Sequence, residues 1–451
     1  MGTRLGFRKI LQQKMQKIKE TALIWFRNDL RISDHYGLFH ATEIYEKVIG
    51  YYSFDPNHFA ETPWGFKKTE SFRANFLIES ILQLQHDLAD KNISLIIEHK
   101  DPSIGIPEWI ESQKVNSLYF QKEWTKEEIT RENQIREKIS KSVKVHSTFD
   151  QFLFHPDDLP MSLEELPEVF TNFRKQCEKK SSVRSCFPEP KQLNSSNLLD
   201  KSFDCPSLSD LGLAEVQTHP NTAFPFKGGS KSAQERISHY FWQSKKLSFY
   251  KNTRNGLLGL DYSSKLSAWL ANGSISAREI YWEVVKYEAE IKKNQSTYWL
   301  IFELIWRDYF KFISLKHLNK IFLLGGILNK IYDWKNDLNL FNSWTEGRTA
   351  EPFVNANMLE LKKTGWMSNR GRQNVASFFS KDLLMDWRMG AAYFESLLID
   401  YDVHSNYGNW MYTSGVGNDP RDRKFKIRLQ AERYDANGKF QQLWNQQNLF
   451  E

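Results

Sequence analysis

A chain of 451 residues has room for two or more domains, and its net charge of +6 permits an anionic partner without requiring one. An aromatic share of 14% with 15 Trp is high, and fits a core, a stacking surface or an electron route equally well. Cys177, Cys186 and Cys205 are too few and too scattered for a disulfide framework or a four-thiolate cluster, which points to a reducing compartment, and no run approaches a membrane span.

Residues 1–20 form a basic lead, with Arg4, Arg8, Lys9, Lys14, Lys17 and Lys19 against Glu20. The lead lacks the apolar centre of a secretory signal and reads as a frayed helical segment, with an organelle transit peptide as the alternative. Residues 22–26 are a short apolar run stopped by Arg27, Asn28 and Asp29, as in a buried strand. Further strands are predicted over residues 47–52, 93–97, 117–120 and 143–146. Helices are predicted over 70–89, 107–112 and 126–140, the first with Phe72, Phe76, Leu77, Ile81, Leu84 and Leu88 on one face. This alternation predicts a doubly wound parallel sheet with helices on both faces, an α/β domain over 21–155. Neither GxGxxG nor GxxxxGK occurs in it, so it is no ordinary nucleotide-binding half. A ligand would sit at the carboxyl ends of the strands, where Lys122, Glu123 and Trp124 follow the fourth. The same three residues read equally as a solvated loop.

Residues 156–225 are the predicted linker, draped over the surface, since from about Cys177 to Pro225 the chain is rich in Ser, Asn, Pro and Asp. After Phe226 the pattern is helical to the end, so residues 226–451 predict an all-α domain. Within it, Ser263, Ser264, Lys265, Leu266 and Ser267 precede an apolar helix. Small hydroxyl residues there suit a phosphate, or a plain N-cap. Glu303, Trp306 and Arg307 share one helical face. They fit a surface ion pair beside a core Trp, or the wall of a pocket for a planar ring.

Residues 364–412 are the densest stretch. Most of the first part predicts helix, with Gly365 and Gly408 marking the ends. Asn369 and Gln373 lie one turn apart, and two carboxamides suit the edge of a base or heteroaromatic ring. Arg372 needs an anion, for which Asp400 and Asp402 are the natural partners. The two aspartates suit ribose hydroxyls or ring N–H groups better than a metal, for which His404 is the lone candidate.

The combination of TGWMSNR (364–370), DWR (386–388), LLIDYDVHSNYGNW (397–410) and LSAWLANGSIS (266–276) closely resembles the photolyase/cryptochrome flavoproteins. The resemblance runs from Trp25-Phe-Arg-Asn-Asp-Leu-Arg31 to the tail. Leu166-Pro-Glu-Val-Phe170, Gly415-Val-Gly-Asn-Asp-Pro-Arg421 and the closing Tyr434-Asp-x-x-Gly438 are similar to the DASH branch. This implies an α/β antenna domain, a linker and a helical domain that holds FAD. Tyr250 and the turn 263–267 would contact the phosphates. Glu303 and Arg307 would lie beside the cofactor, and Asn369 between flavin and substrate. Arg372 and Asp400 would pair next to the flavin, Asp402 would meet its ring or ribitol side, and Asn406 would face N5. Trp410, Trp387 and Trp334 fall where the family has its electron-transfer chain, with core packing as the other reading. Trp344 and Trp366 are near in sequence but outside it. Glu123 matches a carboxylate that holds an antenna pterin, so 5,10-methenyltetrahydrofolate is the expected second chromophore.

The resemblance further implies light-driven splitting of cyclobutane pyrimidine dimers flipped into the cavity. Glu303 would bind a dimer carbonyl and Trp306 would stack on the dimer. Arg254 and Arg370 would meet the flanking phosphates. Ordinary photolyases have Met where this chain has Gln373, and a second Trp where it has Tyr412. Both swaps remove stacking area, so single-stranded or looped DNA is the expected substrate, with duplex DNA and RNA as weaker partners and a monomer as the expected state. The runner-up is a blue-light photoreceptor, disfavoured because no long extension follows Gly438. Repair of the (6-4) photoproduct wants a His that residues 366–373 lack. A plain DNA-binding protein is the outside alternative.

Overall fold

The structure is a computed structural model that describes residues 17–446. The basic lead lies outside the described residues up to residue 16. Five strands form one sheet: β1 (Ile18–Trp25), β2 (Tyr45–Ser53), β3 (Leu95–Glu98), β4 (Val115–Gln121) and β5 (Lys144–Thr148). All pair in parallel, in the order β3-β2-β1-β4-β5. Parallel neighbours need crossovers, which α1 (Tyr36–Ile44), α2 (Ser71–Ala89), α3 (Pro102–Ser112) and α4 (Lys126–Lys138) supply. Helices cover both faces, so the centre of β1 is continuous apolar chain with Ala22, Leu23 and Ile24 fully buried. The strand order reverses between β1 and β4, which opens a crevice beyond Trp25 and Gln121.

The segment predicted as a surface linker departs from that expectation. It contains helix α5 (Phe170–Lys180), whose Phe170, Phe173 and Cys177 are buried. Beyond it the backbone is mostly irregular, but Leu193, Phe203, Leu208, Leu211 and Leu213 insert into the core of the sheet domain. Asn197 donates to the Val48 carbonyl at 2.9 Å and accepts from its N–H at 2.8 Å. Anchors at irregular spacing leave no period to read.

The second half is helical, built round α6 (Gln295–His317), which a capping box at Asn294 starts. Helices α7 (Asn369–Ser377), α8 (Trp387–Leu397), α9 (Val403–Ser414) and α10 (Ile427–Tyr434) complete the parts used below. The predicted single helix after Thr364 is interrupted. Gly365, with φ 67°, ends the helix Pro352–Thr364, and residues 366–368 are extended before α7. Gly408 ends nothing: it lies inside α9, where a Cβ would come within 2.3 Å of the Phe310 ring. Its bare backbone lets α9 sit close on α6. Across the two halves, Arg278 meets Asp34 at 2.8 Å with both side chains almost fully buried, and Arg31 donates to the Gly273 carbonyl at 3.0 Å.

Candidate functional site

A cavity of about 240 Å³ opens among α6, α7, the loop before α9 and the turn at 263–267. Tyr250, Ser263, Ser264, Lys265, Leu266, Ser267, Glu303, Arg307, Asn369, Arg372, Asp400 and Asp402 all line it. Arg254 lines it too.

The turn is not the N-cap that its hydroxyls suggest. The helix Ser267–Ala271 has Leu266 at the cap position and no side-chain capping bond. Ser267 instead donates its hydroxyl to Asp400 at 2.7 Å, and the Ser263 and Ser264 carbonyls accept from Arg236. The backbone N–H groups at this helix start keep no capping partner. Lys265 stands in the left-handed region at φ 63°, which tucks its chain against the Tyr262 ring at 3.3 Å and the Trp366 ring at 4.8 Å. Its Nζ is buried and makes no hydrogen bond among the described residues. Burial pushes the amine well below its usual range, with Glu360 pulling the other way. Burial likewise lifts the Glu360 carboxyl to about 8. A buried amine without a hydrogen-bond partner, beside uncapped N–H groups, fits the diphosphate of a dinucleotide, whose charge would favour its protonated form.

The opposite wall is a ladder of ion pairs. Arg372 donates to both Asp400 oxygens at 2.9 and 3.0 Å, and to the Met367 carbonyl at 2.9 Å. Asp402 accepts from Lys311 at 2.7 Å and caps α9 through the Ser405 N–H at 2.8 Å. Burial works to raise the Asp402 carboxyl, but Lys311, His404 and Arg307 outweigh it and hold it well below the usual range. Sequence reading missed Lys311. The signal was present, since Glu303, Arg307 and Lys311 recur at four-residue spacing on one face of α6.

Glu303 forms an ion pair with Arg254. Burial raises its carboxyl from the usual range, and Arg254 opposes the rise. Arg254 therefore turns inward, although a flanking-phosphate role expects it to face outward. Arg307 spans the halves, donating to the Gln151 carbonyl at 2.6 Å and the Leu270 carbonyl at 3.2 Å. Asn369 is exposed at the rim.

Five expected residues lie just outside the lining. Trp306 stacks on Phe170 with ring centroids 3.6 Å apart, so α5 covers one face of its indole. Tyr412 meets Trp306 edge-on at 5.9 Å, and its hydroxyl accepts from Arg423 at 2.8 Å. Gln373 accepts from Arg370 at 2.8 Å. Arg370 also reaches Asn255 at 3.2 Å and lies over the Tyr434 ring at 4.5 Å. Asn406 is buried, donating to the Ala391 carbonyl at 2.9 Å, and its neighbour Ser405 lines the cavity.

Trp410 is buried on α9 against α8, where Gly390 makes room: a Cβ there would fall 2.3 Å from the indole. Trp387 opens α8, fully buried, with its N–H on the Leu324 carbonyl at 3.0 Å. Trp334 is half-buried. Lys335, next to it, bridges to the strand-like segment before Trp387, donating to the Leu384 carbonyl at 2.7 Å and accepting from Asp386 at 2.9 Å. Trp410 and Trp387 are thus both buried and Trp334 half-buried. Trp344 also touches Trp410, at 6.3 Å, and Trp366 lines the cavity.

Glu123 and Trp124 are buried, which the solvated-loop reading did not expect. Glu123 accepts from Gln121 at 2.9 Å and Asn28 at 3.4 Å, at the crevice between β1 and β4. His404 of α9 stands 3.9 Å from it, and stacks on Trp124 at 4.4 Å. Burial favours the neutral acid, but His404, Arg27 and Lys311 hold the Glu123 carboxyl below its usual range. Among the described residues no three His, Cys, Asp or Glu side chains gather as metal ligands, and no helix is long and apolar enough to cross a membrane.

Residues 22–192 match the DNA photolyase domain, and residues 299–447 the FAD binding domain of DNA photolyase. The chain is 46% identical over 427 residues to cryptochrome DASH of Gloeobacter violaceus, covering 94% of this chain and 85% of that protein. It belongs to the DASH cryptochromes of the photolyase/cryptochrome family. Cryptochrome DASH of Xenopus laevis is 45% identical, over 93% of this chain and 81% of its own. A tomato (Solanum lycopersicum) relative named as chloroplastic/mitochondrial is 42% identical, over 95% and 77%. The crystal structure of the Synechocystis cryptochrome superposes with a TM-score of 0.90 at 43% identity, over 95% of this chain and 89% of that one. An archaeal photolyase from Sulfolobus tokodaii, solved with two FAD molecules, gives 0.75 at 26% identity, over 94% and 90%. This DASH cryptochrome is therefore a flavoprotein, and its FAD-binding match covers the wall made by α6, α7 and the loop before α9, while Tyr250 and the turn 263–267 precede it.

Proposed function

We propose that this protein uses blue light to split cyclobutane pyrimidine dimers in single-stranded or looped DNA. The observation that carries the reading is Glu303, a carboxyl with a raised pKa, paired to Arg254 at one side of the cavity while the Arg372–Asp400 pair stands at another. Reduced FAD, when bound, supplies on illumination the electron that opens the cyclobutane ring and accepts it back.

The chain's own residues hold and shield that chemistry. Tyr250, Lys265 and the turn 263–267 bind the diphosphate. Arg307, Arg372 with Asp400, and Asp402 with Lys311 would hold the polar edges of the flavin, with Asn406 behind Ser405 on the side of its ring. Glu303, when protonated, donates its O–H to a dimer carbonyl, and Asn369 stands between flavin and lesion. Trp306 offers the dimer the indole face that Phe170 leaves free, and Tyr412 walls its edge. Arg370 meets a flanking phosphate, while Arg254 acts through Glu303. Gln373 and Tyr412 make the recess polar and reduce its stacking area, so a base already unpaired enters at the lowest cost. Trp410, Trp387 and Trp334 carry electrons inward to restore the reduced cofactor. Glu123, at the crevice where strand order reverses, holds the pterin of a folate antenna. This division of labour assigns residues 21–155 to the antenna, 156–225 to the connection and 226–451 to catalysis. The partner is damaged single-stranded DNA, with duplex DNA and RNA bound more weakly, and the working form is a monomer in a reducing compartment, cytoplasmic or organellar.

Blue-light repair of one defined dimer, in single-stranded against duplex DNA, tests the reading. Absorption spectra before and after photoreduction accompany it. Single-strand repair is expected to exceed duplex repair clearly. Equal rates on both, or a colourless protein, would sink it.

A further inference from the structure

A second concavity, of about 420 Å³, lies outside the flavin cavity. Its apolar lining is Phe378, Phe425, Ile427 and Leu429. Lys424, Lys426 and Arg428 stand around them with two carboxylates. Asp382 neutralises Lys424 at 2.7 Å, and Glu351 lies 3.7 Å from Arg428. Lys426 is exposed and has no ion pair among the described residues. One positive charge therefore remains over an aromatic and aliphatic lining.

Two helices lead from this concavity to the rim of the flavin cavity. On α7, Asn369, Gln373 and Ser377 recur every four residues along one face. Asn369 lines the flavin cavity, and the Ser377 hydroxyl accepts from the Phe425 N–H at 3.0 Å. At 1.5 Å per residue, the path from Asn369 to Ser377 is about 12 Å. On α10, Ile427 and Leu429 line the concavity, while Tyr434 at the other end lies under Arg370. A stacked strand advances about 3.4 Å per nucleotide and an unstacked one further, so this path is the span of roughly two to four nucleotides. The cations Arg370 and Arg433, both within reach of the Tyr434 ring, stand along it.

We propose that this concavity receives an unpaired base of the substrate strand, about two to four nucleotides from the dimer, with its phosphate against Lys426. The inference rests on the single-strand reading above, and deepens it. A base in a duplex is paired and stacked, and its plane is closed to Phe425. A free base has its face available, and every base has one. The concavity would thus favour single strands without choosing sequence.

The test uses the FAD-loaded full chain and single strands that carry one central thymine dimer. An abasic unit is moved one nucleotide at a time to either side, and binding is measured in the dark at fixed salt. Affinity is expected to drop about tenfold when the abasic unit falls at one position two to four nucleotides away on one side. Phe425→Ala should abolish that dip, with Leu429→Ser, at an exposed position, as the second variant should the first fail to fold. Lys426→Glu should lower the salt slope by about one. A bare dimer dinucleotide is too short to reach, and all three variants should repair it as the unaltered protein does. A flat abasic walk, or a dip that survives both Phe425→Ala and Leu429→Ser, overturns the proposal. Repair is read separately: no repair with a clear dip sinks the proposed function and leaves the subsite standing.

Discussion

Lys311 reaches Asp402 at 2.7 Å, joining the middle of α6 to the first residue before α9. Both side chains are largely buried, and the carboxylate also caps α9. Removing the cation leaves a buried charge without its partner. Lys311→Met should therefore cost about 3–5 kcal/mol at neutral pH. Asp402 titrates below its unfolded value of about 4. Its contribution is present above that value and is lost as pH falls through the depressed folded value. The difference between variant and parent in urea unfolding should be largest near neutrality and shrink in strong acid. A pH-independent difference would place the loss in packing alone.

Glu303 is expected to act as the protonated acid at the lesion. Burial raises its pKa, and Arg254 limits the rise. The proton is held at low pH and lost as pH rises through the raised value, so repair should decline with increasing pH. Glu303→Leu, which has no donor, should repair about tenfold more slowly, the worth of one strong hydrogen bond, with a flattened pH profile. Repair of a dimer in a single strand across pH 5.5 to 9 reads both effects, and an unchanged profile would refute the assignment.

Trp387 donates to the Leu324 carbonyl and is otherwise enclosed. Trp387→Phe loses that bond, about 1 kcal/mol, and keeps most of the packing. Flavin photoreduction under blue light should slow severely, while chemically reduced protein repairs dimers at the parental rate. Undiminished photobleaching of the flavin band would show that electrons enter elsewhere, and the Trp344 contact with Trp410 marks the first place to look.

Tyr412 sets an edge against Trp306, and its hydroxyl accepts from Arg423. Tyr412→Trp enlarges the stacking wall and leaves Arg423 on its other partner, Asp419, at 2.8 Å. Duplex repair should rise several-fold relative to single-strand repair. An unaltered ratio of the two rates would locate the preference elsewhere, with the concavity at Phe425 as the next candidate.

The fold was legible because its signals are local and periodic. Residues 22–26 show their burial in an unbroken apolar run, and α2 shows its buried stripe at helical spacing. Anchors such as Leu193 and Phe203 had no period, and so the segment carrying them read as surface. Gly408 read as a stop because a glycine's local meaning is flexibility. Its actual reason, the Phe310 ring of another helix, is absent from its neighbourhood in the chain.

The site divides the same way. Sequence by itself determined the membership: the motifs around Asn369, Asp400 and Trp410 are long and ordered, and carry the family with its flavin. It also supplied the candidates for charge pairing, since Arg372 must find an anion. The family resemblance already paired Arg372 with Asp400, and tertiary structure alone decided the partners of Lys311 and Arg254. Arg372 took Asp400, Lys311 took Asp402 and Arg254 took Glu303. Ion pairs form through space at a few ångströms, between residues that lie 28, 91 and 49 positions apart in the chain. Nothing local in sequence encodes such a distance, and so the chemistry each residue is free to perform appears only once the helices have packed.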